Sequence, residues 1–76
     1  MAEALEKTVG IYDIKAGDII VDDIACRVVA ARTSAFGEVT WFVEDGNGYH
    51  YHIERTFGQV SRLDWTEEEW DAYRAL

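Results

Sequence analysis

The 76-residue sequence contains no proline, one cysteine, and seven basic residues against fifteen acidic ones. Each shortage excludes something. With Cys26 alone, the chain cannot close an internal disulfide or build a cysteine-based zinc site. A formal net charge of −8 repels phosphate, which argues against direct nucleic-acid binding and against an anionic membrane surface. No apolar run approaches the roughly 20 residues that a membrane-spanning helix needs. The opening Met1-Ala2-Glu3-Ala4-Leu5-Glu6-Lys7 has neither the basic start nor the apolar stretch of a secretory signal, so the expected compartment is the cytoplasm. Without proline, the strands also lack one common device for blunting exposed edges, and barrel closure would serve instead.

What the chain does have is apolar and aromatic. Hydrophobic residues make up 49%, with three Trp, four Tyr and three Phe, too many for a disordered segment. For 8.7 kDa, surface scaling gives roughly 4,700 Å² folded against roughly 12,600 Å² extended. That supports one domain with one thin core and leaves little room for a deep substrate cavity. The charge is uneven. Asp64, Glu67, Glu68, Glu69 and Asp71 against Arg74 place −4 in the last thirteen residues, and the rest of the chain shares the other −4 (ten acids, six bases).

Residues 1–8 read as a short helix or arm, because Ala2 to Lys7 favour helix. Residues 9–63 read as short strands. Val9–Tyr12 is a weak first strand, Ala16-Gly17-Asp18 a turn, and Ile19–Val21 a short apolar strand. A turn at Asp22-Asp23 leads to a long strand, Ile24–Arg32, and Thr33–Gly37 is a loop. From Glu38 to Asp45 the sequence alternates, with Val39, Trp41 and Val43 on one face and Thr40, Phe42 and Glu44 on the other. Asp45-Gly46-Asn47-Gly48 predicts a hairpin turn. The return strand alternates Tyr49, Tyr51 and Ile53 against His50, His52 and Glu54. A last strand spans Phe57–Leu63, with a bulge or kink at Gly58. Residues 66–75 read as a helix: Thr66 and Glu69 form a capping box, and Trp65 and Trp70 form a hydrophobic staple. Trp70, Tyr73 and Leu76 make its inward stripe. Five or six short antiparallel strands closed by one helix predict a mainly β domain, a small SH3-like barrel.

The run Ile14-Lys15-Ala16-Gly17-Asp18-Ile19-Ile20-Val21, followed by Cys26-Arg27-Val28-Val29, resembles the opening of SH3-like barrels of the translation-factor type, such as the amino-terminal domain of elongation factor P. The resemblance covers about residues 14 to 60, with Ala35-Phe36-Gly37 matching the family's glycine-bearing loop. The family presents a basic residue to RNA from that loop. Ser34, Ala35 and Phe36 offer none, so the resemblance implies the fold and not RNA contact. In size and in its Ala/Val/Asp/Arg/Trp-rich usage, the chain also resembles accessory proteins of phages that infect high-GC bacteria, which would make the partner a host protein.

Several patterns carry chemistry only in outline. His50 and His52 lie two apart on one strand face, with Cα atoms roughly 6.5–7 Å apart, close enough to chelate a metal if Glu54 or a neighbouring strand supplied a third ligand. The same pattern is what a polar outer face requires, so no metal and no cofactor are assigned. Asp45-Gly46-Asn47-Gly48 departs from the calcium-loop spacing at Tyr49. Cys26 sits in an apolar strand, as a buried inert thiol would. No pair of carboxylates is marked for acid–base work, and the expectation is a protein that is not an enzyme. The remaining candidates are surface features. Phe42 points outward if Trp41 is in the core, with Phe36 on the nearby loop, and exposed aromatics anchor interfaces. Glu67, Glu68 and Asp71 form an acidic cluster on the outer side of the last helix. Phe36, Phe42, Glu67, Glu68 and Asp71 are therefore the candidate partner-binding residues. They suit a basic protein, with a homodimer, an oligomeric assembly component and a nucleic-acid mimic as the other uses of such a surface.

Overall fold

The apolar run Ile19-Ile20-Val21 lies at the centre of the molecule because both of its faces are covered. The computed structural model describes residues 6–74. Six strands form one antiparallel sheet: β1 (Glu6–Gly10), β2 (Ile19–Asp22), β3 (Ile24–Thr33), β4 (Val39–Asp45), β5 (His50–Arg55) and β6 (Gln59–Leu63). A 3-10 turn, Ile11–Asp13, follows β1, and one helix, α1 (Glu67–Arg74), follows β6. The strand order is β1-β6-β2-β3-β4-β5. The mainly β class with a C-terminal helix is thus what the sequence leads one to expect.

The sheet curls so that its inner face encloses the main core. Ile20, Cys26, Val28, Val39, Trp41, Val43 and Ile53 point inward, joined by Ile11 and Ile14 from the segment after β1, with Val9 and Val60 packed against them. A second, smaller core lies on the outer face, where Trp70 of α1 packs on Ile19 and Ala25, flanked by Leu63 and Trp65. Neighbouring residues of β2 therefore feed different cores, Ile19 outward and Ile20 inward. Among the described residues the hydrogen-bonded ladder stays open, with β1 and β5 at its two ends. The molecule is long for its mass, 41 × 24 × 18 Å. Its accessible area, 5236 Å², accordingly exceeds the roughly 4,700 Å² expected from mass alone.

Four local expectations change. Glu6 and Lys7 belong to β1 rather than to a helical arm, because β1 pairs from Glu6↔Leu63 to Gly10↔Gln59; residues 2–5 lie outside the described residues. The first strand ends at Gly10, and Ile11 and Tyr12 enter the 3-10 turn, which aims Ile11 into the core. The last strand begins at Gln59, beyond Gly58 at φ +99°. In β3, a bulge at Val29 shifts the register between Val28↔Val43 and Ala30↔Phe42. The extra residue moves Ala30 to the outer face and Ala31 opposite Trp41, an effect that Val28-Val29-Ala30-Ala31 gives no hint of.

The helix start follows the capping expectation. The backbone N–H of Thr66 donates to Glu69 Oε1 at 3.0 Å, and that of Glu69 donates to Thr66 Oγ1 at 3.2 Å. The Tyr73 ring lies against Trp65 and Trp70 and over Gly46 of the β4–β5 turn. A Cβ at Gly46 would come within 2.7 Å of that ring, so this glycine is required by the approach of the helix. In the same turn, Gly48 is required by its φ of +87°. The helix stripe is described as far as Arg74, and Leu76 lies outside the described residues.

Candidate functional site

The outer face of β3, β4 and β5 is set by register. Arg27, Glu44 and His50 form one row across the three strands, Ala30, Phe42 and His52 the next, and Arg32, Thr40 and Glu54 the third. Helix α1 reaches the first row and stops there. Phe42 in the second row remains 40% exposed, while Trp41 beside it is fully buried. The ring centroid of Phe42 is 6.1 Å from that of His52, at a tilt of 52°. Two open grooves meet at Phe42. One, of about 280 Å³, runs past His50, Tyr51 and His52, and the other, of about 180 Å³, past Arg32, Thr40 and Glu38.

The first row is held by a buried carboxylate. Glu44 Oε1 accepts from Arg27 at 3.0 Å, Glu44 Oε2 lies 3.4 Å from an Arg74 nitrogen, and His50 Nε2 is 3.5 Å away. Arg27 also pairs with Glu67 at the start of α1. Arg27 and Glu44 therefore tie both ends of the helix to the sheet. Alternation places Glu44 on the polar face, and only the helix above makes it buried.

These contacts divide the five candidate residues. Glu67 is engaged by Arg27. Glu68 and Asp71 are exposed and have no ion-pair partner among the described residues. Asp71 is four residues after Glu67 and three before Arg74, so it shares the helix edge from which both reach the sheet. Phe36 is elsewhere. It is 99% exposed at the β3–β4 loop, separated from Arg27 by the stretch of β3 from Arg27 to Thr33, about 20 Å at 3.4 Å per residue. The loop itself is well tied: Ser34 Oγ accepts the N–H groups of Phe36 and Glu38, and the Tyr12 hydroxyl donates to Gly37 O at 2.7 Å. The structure thus brings Phe42 and Asp71 to the same face, places Glu68 on the solvent side of the helix, and sets Phe36 apart at the far end. Tyr12 and Phe57, also exposed, share that end, since Gly10 pairs with Gln59 and Arg55 with Val39. Phe57 was not among the candidates; its signal was its place beside Gly58 in a three-residue connection.

The histidines do not converge on a common ligand. His50 faces Glu44, and His52 Nε2 lies 3.4 Å from Glu54. Among the described residues no group of three or more His, Cys, Asp or Glu is arranged to hold a metal ion. Asp45, the first residue of the apparent calcium loop, is buried, and its Oδ1 accepts the N–H groups of Asn47 and Tyr49 at 2.9 and 3.0 Å. That carboxylate shapes the hairpin.

Cys26 is fully buried, with its Sγ 3.1 Å from the Tyr51 hydroxyl. Burial pushes its thiol pKa above the ordinary 9.0, offset in part by the Tyr51 hydrogen bond, while Asp45 and Asp22 raise it further. The Tyr51 phenol is pushed up as well, first by its hydrogen bond to Cys26 and then by burial. A group whose pKa rises on folding favours the folded state while it is protonated. That stability is present below pH 9 and is lost as the pH climbs through the folded value. We expect Cys26 to resist alkylation at pH 8 unless denaturant is added, and unfolding midpoints to fall above pH 9. Rapid labelling of the native protein at pH 8 would contradict the buried thiol.

No helix among the described residues is long and apolar enough to cross a membrane. Compared with known proteins, the chain matches no protein-family model, no curated protein and no solved structure.

Proposed function

We propose that this chain is a non-catalytic protein-binding module that docks a basic partner on the outer sheet face, with Phe42 as the apolar anchor and Asp71 and Glu68 as the acidic border. The observation that carries the reading is Phe42 itself. The helix covers the outer face as far as Glu44 and leaves this aromatic uncovered between two grooves. Aromatic residues, Phe among them, are enriched at the cores of protein interfaces relative to the rest of the surface. The net charge of −8 favours a basic surface and speeds its encounter. Phe36 and Glu67 have smaller parts in this reading, because one is remote from the face and the other is already paired.

The test is affinity capture of partners at low and high salt, followed by measured binding of variants. Capture should yield one dominant protein that is lost at high salt. Phe42→Ser should weaken its binding by about tenfold or more, as truncation of an anchor does. Glu68→Lys with Asp71→Lys should slow association and flatten its salt dependence. Unchanged affinity and salt slope in both variants would remove this face from consideration. Competition between the chain and DNA for the same partner would mark nucleic-acid mimicry instead.

A further inference from the structure

The open ladder leaves three stretches of strand with an unpaired side among the described residues, and two are guarded. β1 carries the exposed charges of Glu6 and Lys7. The part of β3 beyond its pairing with β2 is broken by the bulge at Val29. β5 carries the exposed charge of Glu54 and the half-buried Arg55 at its end, but nothing in it interrupts the ladder. It contains no lysine, proline or bulge, and its register with β4 runs without a break from Glu44↔His50 to Val39↔Arg55. Natural proteins rarely leave an edge of this kind uncovered, because it templates another strand.

The chemistry of that edge selects its occupant. The hairpin closes with the N–H of Asp45 donating to Tyr49 O at 3.0 Å. In an antiparallel ladder alternate residues turn their backbone groups to the same neighbour. Tyr49, Tyr51, Ile53 and Arg55 therefore bond to β4, and the N–H and C=O groups of His50, His52 and Glu54 face the open side. A second β5 can meet them in antiparallel register with inner faces matched to inner faces. The register with the greatest overlap sets His50 opposite Glu54 of the partner subunit, Tyr51 opposite the partner's Ile53, and His52 opposite the partner's His52 on the two-fold axis. This pairs an imidazole with a carboxylate twice and an aromatic with a β-branched residue twice, both favourable cross-strand pairs. It also forms about six backbone hydrogen bonds, two for each of the three facing pairs.

We propose that β5 is the interface of a symmetric homodimer, a second copy of this chain continuing the sheet through His50, His52 and Glu54. The outer faces then join across the axis, with a Phe42 on either side of the two His52 rings. This pairing is independent of the partner-binding reading above, since either holds without the other.

The experiment measures mass in solution across a dilution series, together with two variants of His52. Wild type should run at twice its 8.7 kDa and dissociate on dilution. His52→Glu places like charges opposite each other on the axis and should return the monomer, with folding confirmed by circular dichroism. His52→Cys should form a disulfide-linked dimer on mild oxidation, because facing Cα atoms in a hydrogen-bonded pair lie about 5.5 Å apart, within disulfide reach. Tyr51→Cys should not crosslink, since it would face the partner's Ile53. A wild type that stays monomeric at every concentration overturns the proposal and leaves the edge to an extended segment of another protein. A dimer that survives His52→Glu and fails to crosslink through His52→Cys overturns it too, by placing the contact on another surface.

Discussion

Replacing Trp70 with alanine should cost about 3–5 kcal/mol, the range for removing a buried large aromatic side chain, and release α1 from the sheet. Trp70 is fully buried and, among the described residues, is the only buried helix residue of the outer core, where it covers Ile19 and Ala25. A domain of this length has a total stability of roughly 4–11 kcal/mol at the usual 0.05–0.15 kcal/mol per residue, so the variant should be marginal at room temperature. Trp70→Phe should be much milder. The Trp70 indole N–H is buried with no hydrogen-bond partner among the described residues, and an unpaired buried donor costs about 1–3 kcal/mol. Phenylalanine removes that donor and keeps most of the apolar area. Urea unfolding followed by far-ultraviolet circular dichroism measures both variants. Equal midpoints for Trp70→Ala and wild type would show that the helix is not held by this side chain.

Glu44→Leu carries the second-largest expected loss. It leaves the guanidinium groups of Arg27 and Arg74 facing one another over an apolar residue, with His50 beside them. Removing one member of a fully buried pair costs about 3–5 kcal/mol. Here both arginines are partly exposed, so water recovers some of that, and we expect about 1–3 kcal/mol. Glu44→Gln keeps an acceptor for Arg27 and should lose about half as much. Arg74→Met should change stability by less than about 1 kcal/mol, because its contact is peripheral. A double-mutant cycle between Arg27 and Glu44 isolates their coupling. A cycle energy near zero, with Glu44→Leu at wild-type stability, would show that the helix rests on Trp70 alone.

The two cores account for what could be read from the sequence and what could not. Alternation in Val39-Thr40-Trp41-Phe42-Val43 assigns the inner face of β4 correctly, because a strand pleat has a period of two whatever surrounds it. It says nothing about what covers the outer face. Whether Phe42 lay under the helix and whether Glu44 was solvated both depended on where α1 landed. The capping box at Thr66 and Glu69 sets where the helix begins, and the pairing of Glu67 with Arg27, forty residues away, sets how it lies. The acidic cluster looked like a free patch for a related reason: helical spacing shows which residues are neighbours on the helix but not which ones a sheet arginine will reach.

The sequence by itself determined the mainly β class, the positions of the hairpin turns, the capped helix, the apolar setting of Cys26 and the net charge. These follow from local chemistry: turn residues with permitted φ, pleat periodicity, capping hydrogen bonds and net charge. Tertiary structure alone decided the rest. It converted Glu6 and Lys7 from a helical prospect into a strand by giving them Arg62 and Leu63 as ladder partners. It placed the bulge at Val29, left β5 at an open edge, buried Glu44 and separated Phe36 from the acidic helix. Each outcome depends on contacts between distant parts of the chain, where pairing and burial free energies outweigh the weak preferences of single residues.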